Sequence, residues 1–477
     1  MAFPTVLSST TRFLSLGLLS LGLVSSVFAA ELYVDNVRGD DANAGTKEQP
    51  FKTFKASLAA LKGGDTLNIV PNEEPYREAF GELGKQHSGT PEKPTIVDGH
   101  GAHLTRLNHF PADRWKSEGD DIFSLRLVHN VVVMSGKGYY DGFPFVFVDG
   151  QPLPCVKKKE DLTPNSCFFF LYYDPTLKGL HPDHGMLTIR LEPGKTPADV
   201  TIKIPEPGNV VVGGDHITVR NINASWSSSD LFDTHRGKGI VFEDITATDC
   251  LDQNISAHST ESCVVRYSHF RNALAMCVLD VSFKIEEDCR ITYSGCIFER
   301  GGAGFQGGGH YVVENSIIRD NTRIALMARQ NATLTVRNCI LVKGDDGREG
   351  LGLSDNAQVE MENCTFIGFD RAIGLVGTNA RLKLKNCVFL DNKETISFWN
   401  EAQPDQITAE NCVFSPAPVF TVNKQVLKGL AAYRAQFPSA ETSSRELSPG
   451  EKPAGGSNIS PTLTLPELKK IAQALTL

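Results

Sequence analysis

The sequence predicts an all-β protein folded as a parallel β-helix, and the main observation behind this prediction is a repeat. Nine segments align on a common turn position, and neighbouring positions lie 20 to 28 residues apart, close to 24 residues per coil. The segments contain short alternating strands without helical periodicity. Such a unit cannot bury its apolar face alone, so it must stack on its neighbours. The common positions are Asn221, Asp244, Tyr267, Gly295, Asn315, Asn338, Asn363, Asn386 and Asn411.

The residue types at this turn are the second observation. Asn tolerates left-handed backbone geometry, and its amide can hydrogen-bond to an Asn in the next coil. A cysteine follows the turn in four successive coils, and side chains on stacked parallel strands lie slightly farther apart than a disulfide prefers. We therefore expect these cysteines to be buried as small apolar residues, whereas Cys155 and Cys167 are better disulfide candidates. The four cysteines are Cys339, Cys364, Cys387 and Cys412.

The first 29 residues have the pattern of a secretory signal peptide. Arg12 precedes an apolar run, Phe13 to Val27, and small residues predict cleavage before Ala30. The apolar run is short for a membrane span. We expect a secreted or periplasmic protein, monomeric and without a membrane span in the mature chain. The net charge of −9 argues against a nucleic-acid partner.

The rest of the chain divides around the regular repeat. Phe54, Leu58 and Leu61 have helical spacing and precede two glycines, which predicts a short helix that closes the first coil. Apolar and polar residues alternate within the insertion, so we expect antiparallel strands there that form one wall of a cleft. Two short helices, Gln425–Phe437 and Pro466–Leu475, are expected in a loosely packed tail. The predicted divisions are residues 30–75 for the N-terminal strand and capping helix, 76–207 for early coils with a β-rich insertion, 208–423 for regular coils, and 424–477 for the C-terminal cap and tail.

The segment from Leu32 to Pro71 resembles the N-terminal signature of secreted right-handed parallel β-helix proteins, including family 9 pectate lyases. The resemblance implies a right-handed helix with a groove over the third strand of each coil. The matching residues are Tyr33, Val34, Gly39, Asp40, Asn43, Gly45, Thr46, Pro50, Phe51, Thr53, Gly64, Asp65 and Thr66.

In those lyases an aspartate cluster in the groove holds Ca²⁺, and a lysine removes the proton beside the uronate carboxyl. Asp230 and Asp233 match part of that cluster, although Ser229 and Leu231 replace an aspartate and a glycine of the family. With the nearby Asp252, these aspartates are the candidate Ca²⁺ ligands. Lys284 is the candidate base.

The repeat itself predicts a second set of candidate catalytic residues. His235, His258 and Arg329 each lie 14 residues after a common turn position. Strand alternation then places both histidines on the outer face, one above the other in adjacent coils. A one-residue shift in the next coil also turns Asp280 outward. Together with Asp233 these residues form a predicted row of acids, bases and a fixed cation.

Two imidazoles about 5 Å apart cannot both be protonated easily, so one stays neutral and can serve as a base or a metal ligand. A polysaccharide lyase also needs a group that neutralises the uronate carboxylate. Arg329 or a bound cation can do so. A polysaccharide lyase is therefore the preferred hypothesis. A polysaccharide is the expected partner.

Three alternatives stay open. An inverting glycoside hydrolase needs two carboxyl groups about 6.5 to 9.5 Å apart, for which Asp233 and Asp280 are the candidates. A non-catalytic polysaccharide-binding or cell-surface β-helix needs only the exposed face. The third alternative is that the row is a hydrogen-bonded surface ladder without any activity. Trp226 and Trp399 are candidate sugar platforms, and Trp226 could equally anchor a loop.

Overall fold

The computed structural model describes residues 29–127, 145–170, 185–208, 210–283, 288–438 and 443–475. Apart from Ala29, the predicted signal peptide lies outside these residues, and so does Lys284. Within the described ranges, no helix combines the length and the apolar character that crossing a bilayer requires.

The chain forms a parallel β-helix with three walls. The first and second walls belong to one sheet, because the long strands Thr95–Thr105 and Ile217–Ser225 run along both of them. Its strands are Glu31–Val34, Thr66–Ile69, Thr95–Thr105, Ile217–Ser225, Ile240–Glu243, Thr246–Cys250, Ser262–Arg266, His269–Ala273, Arg290–Ser294, Ile297–Glu299, His310–Glu314, Ile317–Asn321, Thr333–Arg337, Ile340–Lys343, Gln358–Glu362, Thr365–Ile367, Arg381–Lys385, Val388–Leu390, Ile407–Glu410, Val413–Phe414 and Arg445–Glu446.

The third wall is a separate sheet, which carries the candidate site. Its strands pair in parallel until the last one, which turns back against its neighbour. They are Gly81–Leu83, Val210–Val212, Phe232–His235, Gln253–His258, Met276–Val281, Ala303–Gln306, Ile324–Arg329, Glu349–Leu353, Arg371–Val376, Glu394–Trp399, Val419–Val422 and Gln425–Lys428.

The predicted turn positions are confirmed. All nine have a positive φ, between 49° and 65°, so each coil turns from the first wall to the second through a left-handed residue. Asn338 Nδ2 donates to Asn315 Oδ1 at 2.8 Å, which is one bond of the expected amide ladder. Since every coil meets the same backbone demand at this corner, the sequence repeats there most clearly.

The core runs along the axis between the three walls. The four cysteines that follow the Asn turn are fully buried free thiols, as expected. Phe389 stacks between the rings of Phe366 and Phe414, with centroids 4.9 and 5.1 Å away. Cys155 and Cys167, the predicted disulfide candidates, are neighbours in an isolated bridge, and Cys167 is fully buried.

The described residues of the predicted β-rich insertion form two four-stranded antiparallel sheets beside the early coils. Phe147 in the insertion contacts the Trp226 ring edge-on at 4.9 Å between centroids. Leu251, in the loop before the third-wall strand Gln253–His258, is buried in the insertion's core. The insertion thus packs against loops that lead into the site. Its strands are Leu107–His109, Lys116–Gly119, Ile122–Arg126, Phe147–Val148, Gln151–Pro152, Ser166–Phe170, Met186–Arg190 and Ile202–Pro205.

Both ends of the stack are covered. At the first coil the helix Phe54–Ala60 begins at Thr53, whose hydroxyl accepts the Ala56 N–H. At the last coil the segment predicted as one helix from residue 425 is instead the strand Gln425–Lys428 followed by the helix Leu430–Gln436. The strand covers the open edge of the third wall, which would otherwise invite strand addition. Single 3₁₀ turns are Lys85–His87, Ala112–Arg114, Lys159–Asp161 and Pro404–Gln406.

The tail, by contrast, is not loosely packed. After Arg445–Glu446 it runs back along the outside of the stack and ends in the helix Leu465–Leu475. Ile459 and Leu468 are buried against a stripe of second-wall isoleucines, and Lys469 Nζ lies 2.6 Å from the Asp244 carboxylate. The stripe is formed by Ile297, Ile317 and Ile340. The tail therefore joins late residues to early coils.

Candidate functional site

The site is a stack of three rings on the outer face of the third wall. His235 and His258 are register partners in the strands Phe232–His235 and Gln253–His258, and their ring centroids are 5.0 Å apart at an interplanar angle of 24°. Phe283 extends the stack, 5.6 Å from the His258 ring and 68% exposed. The side chain of His235 is 47% exposed and that of His258 is 20% exposed. Both rings can therefore be reached from solvent.

Asp233 holds the two histidines. Its Oδ2 lies 2.7 Å from His235 Nε2, and its Oδ1 lies 3.1 Å from His258 Nδ1. An ionised carboxylate accepts hydrogen bonds but cannot donate them, so both of these nitrogens carry a proton. Nδ1 of His235 and Nε2 of His258 are left to face a ligand. One carboxylate thus sets the orientation and tautomer of both rings.

A second layer of polar groups fixes Asp233 from below. Ser256 Oγ donates to Asp230 Oδ2 at 2.6 Å and lies 3.2 Å from Asp233 Oδ1. The Gln253 amide N–H donates to Asp230 Oδ1 at 3.1 Å, and the Gln253 side chain contacts Asp252. All of these side chains are buried. The site therefore concentrates carboxyl groups in a place that excludes water.

The pKa values of these carboxyl groups differ widely as a result. Burial alone would raise the pKa of Asp233, but the hydrogen bonds from His235 and His258 lower it to about 2. Burial raises the pKa of Asp252 to about 8, and the charge of Asp230 adds to that effect. Burial likewise raises the pKa of Asp230 to about 6. At neutral pH Asp233 is ionised, while Asp252 keeps its proton.

The imidazole of His258 is shifted towards its charged form. Burial alone would lower its pKa, but the hydrogen bond and charge of Asp233, together with the charges of Asp230 and Asp280, raise it overall. An imidazolium at His258 is thereby favoured next to the more exposed His235 ring.

The prediction that Asp280 faces outward is wrong. Val281, not Asp280, follows His258 in register, so no shift occurs and Asp280 lies behind Ala257. Its side chain is fully buried and accepts a hydrogen bond from the Ala257 N–H at 2.9 Å. Each of its two carboxylate oxygens lies 3.0 Å from the Tyr293 hydroxyl. Burial raises its pKa to about 7. Asp280 supports the strand under the histidines and cannot reach a substrate.

Arg329 lies in the same column as the histidines but at a distance. The register runs from His258 through Val281 and Gln306 to Arg329. Three strand spacings correspond to about 14 Å. The Arg329 guanidinium donates to Gln306 Oε1 at 2.6 Å. It therefore faces a different part of any ligand that lies along the wall.

The two tryptophans differ in exposure. Trp226 is half-buried against Phe147 of the insertion, which favours the loop-anchor alternative. Trp399 is 44% exposed, and the Arg371 guanidinium lies 4.1 Å from its ring centroid. Trp399 stays a candidate platform far along the wall from the histidines.

Several residues of the site were not assigned a role from the sequence. Ser256 and Gln253 lie 23 residues after Asp233 and Asp230, so the coil spacing could have placed them. Phe283 could not be found that way, because the 23-residue spacing aligns it with Thr260 rather than with His258. Its ring stacks on His258 only through the path of the following loop.

The Ca²⁺ ligands implied by the resemblance can be compared with the observed donors. Both Asp233 oxygens face imidazole nitrogens, while Asp230 and Asp252 are buried carboxyls with raised pKa values. Among the described residues, Asp233, His235 and His258 offer donor atoms that all lie within 4.8 Å of one another. Calcium prefers six to eight oxygen ligands, which this set does not supply. Ca²⁺ stays a prediction from the resemblance.

Comparison with known proteins bears on the fold. Residues 278–414 match the family described as the right handed beta helix region. The chain is a right-handed parallel β-helix. The same parallel strand pairing continues into the coils before residue 278. No curated protein sequence matches the chain.

Several solved structures are similar to the chain at low sequence identity. A complex of XylC with xylose is 11% identical, with 83% of this chain and 86% of that chain covered and a TM-score of 0.49. A glycoside hydrolase is 11% identical, with 93% and 98% covered and a TM-score of 0.48. Pectate lyase Pel9A is 11% identical, with 79% of each chain covered and a TM-score of 0.41. Such distant likenesses do not select a reaction.

Proposed function

We propose that the protein cleaves an acidic polysaccharide by β-elimination, with His235 as the base and His258 as the acid. The observation that carries the proposal is the double hydrogen bond of Asp233, which prepares two stacked imidazoles for opposite roles. The rings lie on the flat outer face of a parallel sheet. An extended polymer can cross such a face, whereas a small molecule would find little enclosure.

His235 is the better base of the two. Its Nε2–H donates to Asp233, so Nδ1 carries the lone pair that can accept a proton. Its greater exposure allows a sugar ring to approach. In the elimination, Nδ1 takes the proton from the carbon beside the uronate carboxyl, and the electron pair left behind forms the new carbon–carbon double bond.

His258 supplies the complementary charge. The raised pKa of its imidazole favours a proton on Nε2 as well as on Nδ1. The imidazolium can stabilise the negative charge that develops on the uronate and can then pass the Nε2 proton to the departing glycosidic oxygen. Proton and charge balance is complete within the pair, because one ring gains the proton that the other loses.

The carboxyl groups oppose an acidic substrate less than their number suggests. Asp252, with a pKa of about 8, is neutral at pH 7. The charge of Asp233 is offset by the imidazolium of His258. Asp230, with a pKa of about 6, is largely ionised at pH 7, but its side chain is buried below the exposed rings. Phe283 adds an exposed aromatic ring of the type that packs against the apolar faces of sugars. A uronate that approaches His235 therefore meets carboxylate charges that are buried or offset.

The test is a panel of polyuronates and sulfated polymers, followed separately for the ultraviolet absorbance of unsaturated ends and for new reducing ends. We expect both signals on one polyuronate and their loss in His235→Ala and His258→Ala. His310→Ala is the matched control, since His310 is an exposed histidine on the first wall. Retention of the polymer on an affinity gel without either signal would favour the binding protein. Unchanged activity in His258→Ala would contradict the assigned site.

A glycoside hydrolase is the second candidate, and one observation favours it. Asp233 and Asp252 are neighbouring carboxyls whose pKa values are about 2 and about 8, and such a divergence is typical of a base and an acid in one site. This pair replaces the predicted pair of Asp233 and Asp280. Reducing ends without unsaturated ends, lost in Asp252→Asn, would support the hydrolase.

A further inference from the structure

We infer that Asp233, His235 and His258 form a binding site for a divalent transition metal, with zinc as the best-suited ion. The three residues present one carboxylate oxygen and two imidazole nitrogens within 4.8 Å of one another. The carboxylate lies 2.7 Å from one nitrogen and 3.1 Å from the other. Small side-chain movements would bring all three to a common centre at the ligand distances of about 2.0 to 2.2 Å that zinc takes.

The donor types select among metals. Two imidazoles and a carboxylate suit zinc, nickel, copper or iron, whereas calcium and magnesium prefer sets made of oxygen alone. Three protein ligands also leave a tetrahedral ion one open position. The exposed side of His235 faces solvent, so water or a substrate oxygen can fill that position.

The surroundings resemble the outer layer that supports protein metal sites. Ser256 Oγ lies 3.2 Å from Asp233 and donates to Asp230, which fixes the ligand carboxylate in place. The ring of Phe283 covers one face of His258. Ordering of ligands by such neighbours typically accounts for 10- to 100-fold in metal affinity.

Metal binding and elimination would exclude each other, a consequence that rests on the proposed function. The ion takes His235 Nε2 and His258 Nδ1, the nitrogens that otherwise donate to Asp233. In a neutral His235 the displaced proton moves to Nδ1, which removes the lone pair of the base. An imidazolium at His258 must release one proton to solvent before it can bind. Zinc would therefore inhibit cleavage, and a chelator would restore it.

The binding test is independent of any substrate. Tag-free protein is dialysed against Zn²⁺, Ni²⁺ or Ca²⁺ and bound metal is measured per chain. We expect one zinc or nickel ion per chain. His235→Ala, His258→Ala and Asp233→Asn should each weaken metal binding at least about tenfold, whereas His310→Ala should leave it unchanged. Retention of calcium in place of zinc would overturn this assignment and would favour the oxygen-ligand site that the resemblance implies. Circular dichroism checks that each variant is folded, and half-exposed His235 is the substitution least able to disturb the wall.

Substitution of cobalt for zinc adds a geometric readout, because bound Co²⁺ absorbs visible light according to its ligands. Absence of zinc from the folded wild type, or zinc retained by both histidine variants, would overturn the site. Zinc binding without any polymer cleavage would leave the metal site standing and remove the proposed lyase. Cleavage that zinc does not inhibit would overturn the mutual exclusion.

Discussion

Two parts of the third wall treat ionisable residues in opposite ways. In the later coils Glu349, Arg371 and Glu394 are register partners, so charges alternate in sign and Arg371 lies 3.6 and 3.5 Å from its two partners. Burial raises the pKa of Glu349, but Arg371 limits that rise. In the early coils burial and neighbouring carboxylates raise the pKa values of Asp230 and Asp252, and the charge of His258 opposes this only in part.

This difference distinguishes the structural ladder of the later coils from the candidate site of the early coils. Alternating charges satisfy one another and need no ligand, whereas stacked carboxyls are costly to ionise and persist where chemistry requires shifted pKa values. The same strands and the same register carry both arrangements. The residues on the outer face, rather than the coil, therefore set what each part of the wall can do.

The largest expected effect comes from breaking the early arrangement at Asp233. Asp233→Asn removes the charge that orients both histidines, and the rate of cleavage should fall by a factor of about 10² to 10⁴. Initial rates on the responsive polymer measure this. Glu349→Gln in the later ladder is the matched control and should keep cleavage near wild type; equal losses in both would erase the distinction between the two regions.

A core substitution in the later coils tests whether stability and activity separate. Phe389→Ala removes a ring stacked on both sides and should lower the free energy of unfolding by about 3 to 5 kcal/mol. Denaturant unfolding measures the loss. Activity per folded molecule should not change, and a parallel loss of activity would mean that the site depends on the later core.

The raised pKa of Asp252 predicts a pH-dependent stability. Below the ordinary value of 3.8 the group is protonated in both folded and unfolded chains and has no effect. As pH rises to about 8 the unfolded chain ionises first, so folding loses stability across this window. Asp252→Asn removes that loss.

Melting temperatures in the presence of a chelator measure the effect. The melting temperature of Asp252→Asn minus that of wild type should increase by several degrees from pH 4 to pH 8. Glu394→Gln, from the paired ladder, should show no comparable rise. A constant difference for Asp252→Asn would mean that its carboxyl titrates normally.

The turn positions allow a smaller and more local comparison. Asn363 has φ 54°, so Asn363→Ala should cost about 1 kcal/mol of stability because alanine disfavours the left-handed conformation. Asn363→Gly should cost less, since glycine adopts it freely. Denaturant unfolding of both variants measures the two costs. Equal costs would point to the lost amide contacts rather than to the backbone.

The smallest effect is expected at the ion pair that joins the tail to the early coils. Lys469→Ala should cost at most about 1 kcal/mol, since both partners are partly exposed. Leu468→Ala, which empties a fully buried position, should cost more. Unfolding at low and high salt distinguishes them, because only the Lys469 contribution should shrink with salt.

The sequence was sufficient for the features that every coil repeats. The left-handed corner recurs at Asn315, Asn338 and their equivalents, and this recurrence is visible because each coil meets the same steric demand. The pairing of His235 with His258 followed from the same count. Whether either residue acts in catalysis stays a prediction.

Features that occur once were predicted poorly. A one-residue slip reverses which face a side chain takes. The unshifted count of 23 residues places Val281 beside His258, so the assumed shift turned Asp280 the wrong way. The pKa values of Asp230 and Asp252 depend on burial that arises from several coils and the insertion. The tail's contacts join residues as far apart as Asp244 and Lys469, and no local pattern reports such a distance.

The returning tail also bears on how the protein is made. Ile459 and Leu468 leave the ribosome after all the coils that they cover. Until then the isoleucine stripe of the second wall is open to water and to other nascent chains. Synthesis of residues 459–468 is thus the step that covers this stripe, and a chain that stops before them would expose an apolar surface along its side.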